Sequence, residues 1–269
     1  MAQSGSGSDS VTHYVRFEKG GTTSYGILDG DSIQPIEGDL FGSRAPSGDP
    51  VPLGDVNLRY PCEPSKVLCV GLNYKSHIGE RKTPTVPEIF YKPPTALLDP
   101  GGEIKIPAGA KDVHYEAEFV IVIGKEAKSV SVDDAPSHIF GYTCGNDVSD
   151  RNWQKGTVDG EESKDVQWWR AKGADTFGPL GPSIATSIDY DKARIQLRLN
   201  GEVKQSQLVS DLLFGPAQIV SHVSHYVTLT PGDVIYTGTP GSTSPMKAGD
   251  VVEVEVDGIG TLKNTVGEG

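Results

Sequence analysis

Residues 12–36 alternate apolar and polar side chains, as T-H-Y-V-R-F, then T-S-Y-G-I-L, then S-I-Q-P-I, with breaks at Gly20-Gly21 and Asp29-Gly30. Successive side chains on a strand face opposite ways, and glycine pairs of this kind supply the positive φ of tight turns, so the pattern predicts consecutive β-hairpins. Residues 37–63 are rich in Gly, Pro and Asp and predict a loop or linker. An apolar run at Lys66–Val70 predicts a buried strand. Alternation returns at 194–206 around Asn200-Gly201 and near the C-terminus around Asp257-Gly258, predicting two more hairpins. Helical signals are few. Asp133 and Asp134 before Ala135 predict a capped helix start, and Pro216 opens a segment to 226 with Ile219, Val220 and Val223 on one face. The chain therefore predicts an α+β, mainly β protein with mostly antiparallel pairing. Its expected organisation is a disordered tail at 1–11, a small N-terminal β-rich domain and linker at 12–60, and a main domain at 61–269.

One strand breaks the pattern. Residues 114–124, H-Y-E-A-E-F-V-I-V-I-G, are apolar on both faces at their C-terminal end, which predicts an interior strand. His114, Glu116, Glu118, Val120 and Val122 share one face. Two carboxylates on such a strand repel each other and lose hydration, so they need a cation. Asp147, in G-Y-T-C-G-N-D, offers a third carboxylate. Three carboxylates with no thiolate nearby suit a hard divalent ion: Mg²⁺, Mn²⁺ or Ca²⁺. The competing expectation is an edge strand whose glutamates face water.

Composition narrows the function classes. The 269 residues carry a net charge of −12 with no basic cluster, which argues against nucleic acid as a partner. No apolar stretch approaches the roughly 20 residues of a membrane span. Three cysteines, Cys62, Cys69 and Cys144, form no C-x-x-C pair, and the N-terminus lacks an apolar run. A cytoplasmic protein is expected. No G-x-G-x-x-G or phosphate loop is present.

Other chemistry-bearing residues follow the predicted strands. His77 and Glu80 stand three apart after the first buried strand, and on one helical turn they would meet as a base and its orienting carboxylate. Lys172 lies among small residues in A-K-G-A-D. If Asp147 opens a short helix, Arg151 and Gln154 point the same way, and the arginine could grip a substrate carboxylate. Y-T-G-T-P at 236–240 ends a strand with hydroxyls and backbone N–H groups suited to an oxyanion. His114, His138, His222 and His225 have no evident partner in the sequence, and no zinc site is expected.

G-L-N-Y-K-S-H-I-G-E, Y-E-A-E, G-N-D-V-S-D-R-N-W-Q, A-K-G-A-D-T-F-G-P-L-G-P, L-N-G-E-V-K-Q and L-T-P-G-D-V-I-Y-T-G-T-P occur in that order. Across roughly residues 61–266 this ordered set resembles the fumarylacetoacetate hydrolase superfamily, in its acylpyruvase and 2-hydroxyhepta-2,4-diene-1,7-dioate isomerase-like branch. The resemblance implies a mixed β-sandwich roll, a homodimer, and Mg²⁺ or Mn²⁺. It implies Glu116, Glu118 and Asp147 as metal ligands, His77 with Glu80 as a water-activating dyad, and Lys172 facing the substrate. Tyr74, Arg151, Gln154 and Thr239 match substrate-contact positions. The implied partner is a small 2-oxo or dioxo carboxylate. The implied activity is C–C bond hydrolysis of an acylpyruvate- or fumarylpyruvate-like 1,3-dioxo acid. Decarboxylation of oxaloacetate and enol–keto isomerisation are alternatives on the same site, and a metal-stabilised binding protein without turnover is a third. Residues 155–168 are long and acidic for the pattern, and the segment after Glu80 reaches Pro84 quickly, so both leave substrate identity open.

Overall fold

A computed structural model describes residues 10–158, 161–162 and 165–269. Residues 1–9 of the disordered tail expected at 1–11 and part of the acidic 155–168 segment lie outside the described residues.

The predicted hairpins form where turn chemistry dictates them. Strands Thr12–Lys19, Thr22–Asp29 and Ser32–Gly38 pair antiparallel, with Lys19 opposite Thr22 and Asp29 opposite Ser32. This meander joins the main sheet edge to edge, because Thr12–Lys19 also pairs with Gly178–Thr186 through Thr12 and Thr186. From there the sheet runs through Ile139–Asn146, Ala117–Ile123, Val234–Tyr236, Val67–Gly71 and Glu88–Lys92. A second, five-stranded sheet contains Glu103–Ile106, Arg194–Leu199, Glu202–Leu208, Val251–Val256 and Gly260–Glu268. Its hairpin at Asn200-Gly201 places both residues at positive φ, as that two-residue turn demands. Pairing is mostly antiparallel; Val234–Tyr236 beside Val67–Gly71 is parallel.

Every residue of Ala117–Ile123 is buried, which settles the choice between interior and edge strand. Its two faces feed different cores. Phe119, Ile121 and Ile123 pack in one cluster with Ile195, Leu197, Val252 and Leu262 of the second sheet. Val120 and Val122 pack in another with Val67, Cys69, Leu180 and Val234. Each such side chain contributes about 1.5–3 kcal/mol on burial. Helix Pro216–Ser224 forms as predicted and turns Ile219, Val220 and Val223 into the first cluster.

The helix expected from Asp133-Asp134 is only a 3-10 turn, Ala135–His138. The Asp134 carboxylate accepts from Ser131 Oγ at 2.7 Å and so does not cap the next turn. Gly145 marks a close approach within the sheet: a Cβ there would stand 2.4 Å from the Tyr236 ring. Among the described residues, no helix is long and apolar enough to cross a membrane.

Candidate metal and active site

The central strand delivers the carboxylates, although its N-terminal end departs from the expected 114–124 ladder. Val113 and His114 pair instead with Asp150 and Ser149, and regular pairing resumes at Ala117. At the break the Glu116 amide donates to Asn146 Oδ1 at 2.8 Å, and the Asp147 amide donates to the Glu116 carbonyl at 2.9 Å. A side chain thus replaces one rung. Glu116, Glu118 and Asp147 end up buried, with one carboxylate oxygen of each within 4.8 Å of the others.

Asp147 does not open the short helix. It follows strand Ile139–Asn146, and the helix is Arg151–Lys155, capped by Asp150 accepting from the Trp153 amide at 2.8 Å. Asp150 wins the cap because it directly precedes the first helical residue. Arg151 and Gln154 still meet, at 2.7 Å. The arginine is already engaged, 2.5 Å from Glu116 Oε1 and 3.0 Å from Thr243 Oγ1. Lys172, 3% exposed, donates to Glu116 Oε2 at 2.9 Å, Asp147 Oδ2 at 2.6 Å and Ser149 Oγ at 2.7 Å.

The cations sort the carboxylates electrostatically. Burial pushes Glu116 upward, but Lys172 and Arg151 outweigh it and hold its carboxyl below the usual carboxylate range. Glu118 goes the other way. Burial first, then Asp147 and Glu116, push it well above its ordinary value, against help from the Gly238 amide at 2.6 Å. Burial lowers the Lys172 ammonium, but Asp147 and Glu116 outweigh it and keep it charged to high pH. Among the described residues no hydrogen-bond donor reaches Asp147 Oδ1, although Lys92 Nζ stands 2.6 Å away. An undonated oxygen, a glutamate without a cation of its own, and an all-oxygen ligand set fit a hard divalent ion.

His77 lies on the one-turn helix Lys75–Ile78 and lines the same cavity of about 630 Å³ as the three carboxylates, Lys172 and Arg151. Its Nδ1 stands 2.6 Å from the Gly241 carbonyl. A carbonyl only accepts, so Nδ1 carries the hydrogen and Nε2 is left as the base. Glu80 does not join it. Gly79 at φ 60° and ψ −129° ends the helix, Glu80 is exposed, and no His77–Glu80 bond exists among the described residues. Tyr74 is fully buried, its hydroxyl without a partner. Thr239 lines the cavity.

Three contributors escaped sequence reasoning. Lys92 was invisible because a lysine beside prolines is ordinarily solvated, yet it is buried against Asp147. Asn146 stood in the G-N-D motif, and Gln205 in L-N-G-E-V-K-Q, without a contact to single either out. His114 does have partners, Asp112 at 2.9 Å and Thr243 at 2.8 Å, on residues the sequence does not link to it.

Two packed sheets, with Glu118 on the central strand, Glu116 just before it and Asp147 after the neighbouring strand beside a histidine-lined cavity, define a β-roll built around a candidate metal centre. The sequence pattern of the "Fumarylacetoacetate (FAA) hydrolase C-terminal" family matches residues 66–267, and that of the "Rv2993c-like, N-terminal" family matches 12–61. The chain belongs to the fumarylacetoacetate hydrolase family. It is 42% identical to Protein Rv2993c of Mycobacterium tuberculosis over 90% of this chain and 93% of that one. It superposes on a 2-hydroxyhepta-2,4-diene-1,7-dioate isomerase from Mycobacterium marinum with a TM-score of 0.87 at 39% identity, covering 96% of this chain and 98% of that one. It superposes on a maleylpyruvate hydrolase from Sphingobium sp. SYK-6, in complex with manganese(II) and pyruvate, with a TM-score of 0.76 at 27% identity, covering 96% and 99%.

Proposed function

We propose that this chain is a divalent-metal-dependent isomerase that interconverts the enol and keto forms of a small 2-oxo dicarboxylate. The observation that carries the reading is His77: one ring nitrogen is spent on the Gly241 carbonyl, and among the described residues neither a partner for the other nitrogen nor a carboxylate bonded to the ring is found. Glu116, Glu118 and Asp147 would hold Mg²⁺ or Mn²⁺. A divalent ion there supplies Lewis-acid stabilisation of negative charge on ligand oxygens.

The chain's own residues do the rest. His77 Nε2 takes the enol hydroxyl proton, the O–H electron pair becomes the keto C=O, and the C=C pair accepts the same proton at carbon. The histidine returns unchanged, so no water or redox partner is consumed. Lys172 and Arg151 are held by carboxylates and do not shuttle protons in this scheme. They compensate the charges of Glu116 and Asp147, so that an anion entering the cavity meets less repulsion. C–C hydrolysis would instead require His77 to activate water, a task that an orienting Glu80 would assist.

The test follows enol absorbance for oxaloacetate and for a 2-hydroxydienedioate, with pyruvate release from acetylpyruvate in parallel, with Mn²⁺ and with EDTA. Enol decay that is EDTA-sensitive, falls about 10²–10⁴-fold in His77→Ala and is unchanged within about twofold in Glu80→Gln supports the isomerase. Pyruvate release that outpaces enol decay and collapses in Glu80→Gln would replace it with the hydrolase. Stoichiometric CO₂ from oxaloacetate would replace it with the decarboxylase.

A further inference from the structure

Gln205, on strand Glu202–Leu208, is 3% exposed and carries three hydrogen bonds that leave its amide only one orientation. Its Oε1 accepts from the Ala117 amide at 3.0 Å, at the start of the central strand. Its Nε2 donates to the Pro240 carbonyl at 2.6 Å and to Thr239 Oγ1 at 2.9 Å. An amide N–H can only donate and a carbonyl can only accept, so the flipped amide would leave both backbone contacts repulsive. Both Nε2 hydrogens are therefore committed.

The consequence falls on Thr239. Its hydroxyl oxygen accepts from Gln205, so its own hydrogen must point away from that amide. Among the described residues no acceptor takes that hydrogen, and Thr239 lines the cavity that holds Glu116, Glu118 and Asp147. We infer that Gln205 is a positioning residue that makes the Thr239 hydroxyl an obligate donor toward an acceptor-only oxygen, carboxylate or enolate, of the bound ligand. This rests on the reading of the cavity as the ligand site. Gln205 also ties down Pro240, next to the Gly241 carbonyl that fixes the His77 tautomer. One buried amide thus sets the polarity of a ligand contact and steadies the turn that holds the base.

The test is a double-mutant cycle on binding rather than turnover. Oxalate, which offers only acceptors, is titrated calorimetrically into the Mn²⁺-loaded protein, with Mn²⁺ affinity and melting temperature measured for each variant. Thr239→Val and Gln205→Met are each expected to weaken oxalate roughly tenfold or more, as loss of a hydrogen bond to a charged group does. The double variant should be no more than about twofold weaker than Thr239→Val alone, because both changes remove one contact. Thr239→Ser should restore binding. Gln205→Glu keeps the acceptor for Ala117 and offers Thr239 an acceptor in place of a donor, so it should weaken oxalate as well, and it carries the test if Gln205→Met does not fold. Folded, Mn²⁺-binding Gln205 variants with wild-type oxalate affinity would overturn the inference, as would effects that multiply in the double variant. Wild-type protein that binds Mn²⁺ but not oxalate would overturn the ligand-site reading beneath it. Absent isomerase turnover with the cycle intact would remove only the reaction proposed above.

Discussion

Replacing Lys92 by methionine removes a buried charge and little else, since the two side chains are of similar length. Lys92 Nζ donates to the carbonyls of Val148 at 3.3 Å, Phe177 at 2.8 Å and Lys172, and stands 2.6 Å from Asp147 Oδ1. Both side chains are at most 1% exposed. Without Lys92, three carbonyls lose a donor and a buried carboxylate loses one of its two cations. Breaking a buried ion pair from one side costs about 3–5 kcal/mol. Lys172 still holds the other oxygen of Asp147 at 2.6 Å, which places the expected loss near the lower bound, about 3 kcal/mol. Melting temperature should fall by roughly 6–12 °C, at about 2–4 °C per kcal/mol for a chain of this size. The assay is urea unfolding in EDTA followed by tryptophan fluorescence, with Asp147→Asn and the double variant completing a cycle. A coupling of about 0.5–3 kcal/mol between the two sites is expected. A Lys92→Met protein within about 1 kcal/mol of wild type, or strict additivity with Asp147→Asn, would show that Lys92 is not the counter-ion described above.

The other expectations concern the ion, a second carboxylate and the sheet. Glu118→Gln should leave the metal-free protein as stable as wild type within about 1 kcal/mol, since among the described residues Glu118 forms no ion pair. The same variant should lose the Mn²⁺-dependent stabilisation, about 2.7 kcal/mol at a hundredfold excess over Kd for wild type, in melting curves with and without ion. Burial pushes Asp233 up, but hydrogen bonds from Lys66, Thr230 and Ser65 outweigh it and hold its carboxyl below the usual range. A depressed value means that folding favours the charged form. Its contribution is full above the unfolded value near ~3.9 and disappears as pH falls through the lower folded one. Asp233→Asn should therefore cost roughly 2–3 kcal/mol at pH 7, with the gap to wild type closing below about pH 4 in urea titrations. Gly145→Ala forces a methyl against the Tyr236 ring and Val120 Cγ2, at 2.4 and 2.7 Å, and should cost about 1–3 kcal/mol by the same unfolding assay.

Much of the fold was legible because its signals are local. Alternation in 12–36 and the Asn200-Gly201 turn need only neighbouring residues to act, and both appear as read. The interior character of Ala117–Ile123 was legible for a similar reason, since apolar residues on both faces require cover on both. What escaped was set by contacts distant in sequence or by one residue's backbone. Gly79 ended a helix that the His77–Glu80 spacing assumed would continue, and Asn146 broke a ladder that periodicity continued through Glu116. Lys92 and Gln205 reach partners 55 and 34 or more residues away, so no spacing rule connects them to Asp147 or Thr239.

The carboxylate cluster is uneven, and that unevenness explains how one site serves both stability and binding. Glu116 is shared by Lys172 and Arg151, and Asp147 by Lys172 and Lys92. These two are compensated without an ion, so the fold does not depend on one to hold them. Among the described residues Glu118 accepts from the Gly238 amide and forms no ion pair, and burial together with its two acidic neighbours raises its proton affinity against the weaker pull of Lys172. It is therefore the ligand whose charge a divalent ion would chiefly satisfy, and an ion must compete there with a proton. Metal ligands bind deprotonated, so affinity should weaken as pH falls. The same asymmetry places a second requirement on the occupied site. With Lys92, Lys172 and Arg151 already matching the three carboxylates in number, a divalent ion adds uncompensated positive charge. An anionic ligand cancels it, and by linkage the anion and the ion must then strengthen each other's binding by the same factor.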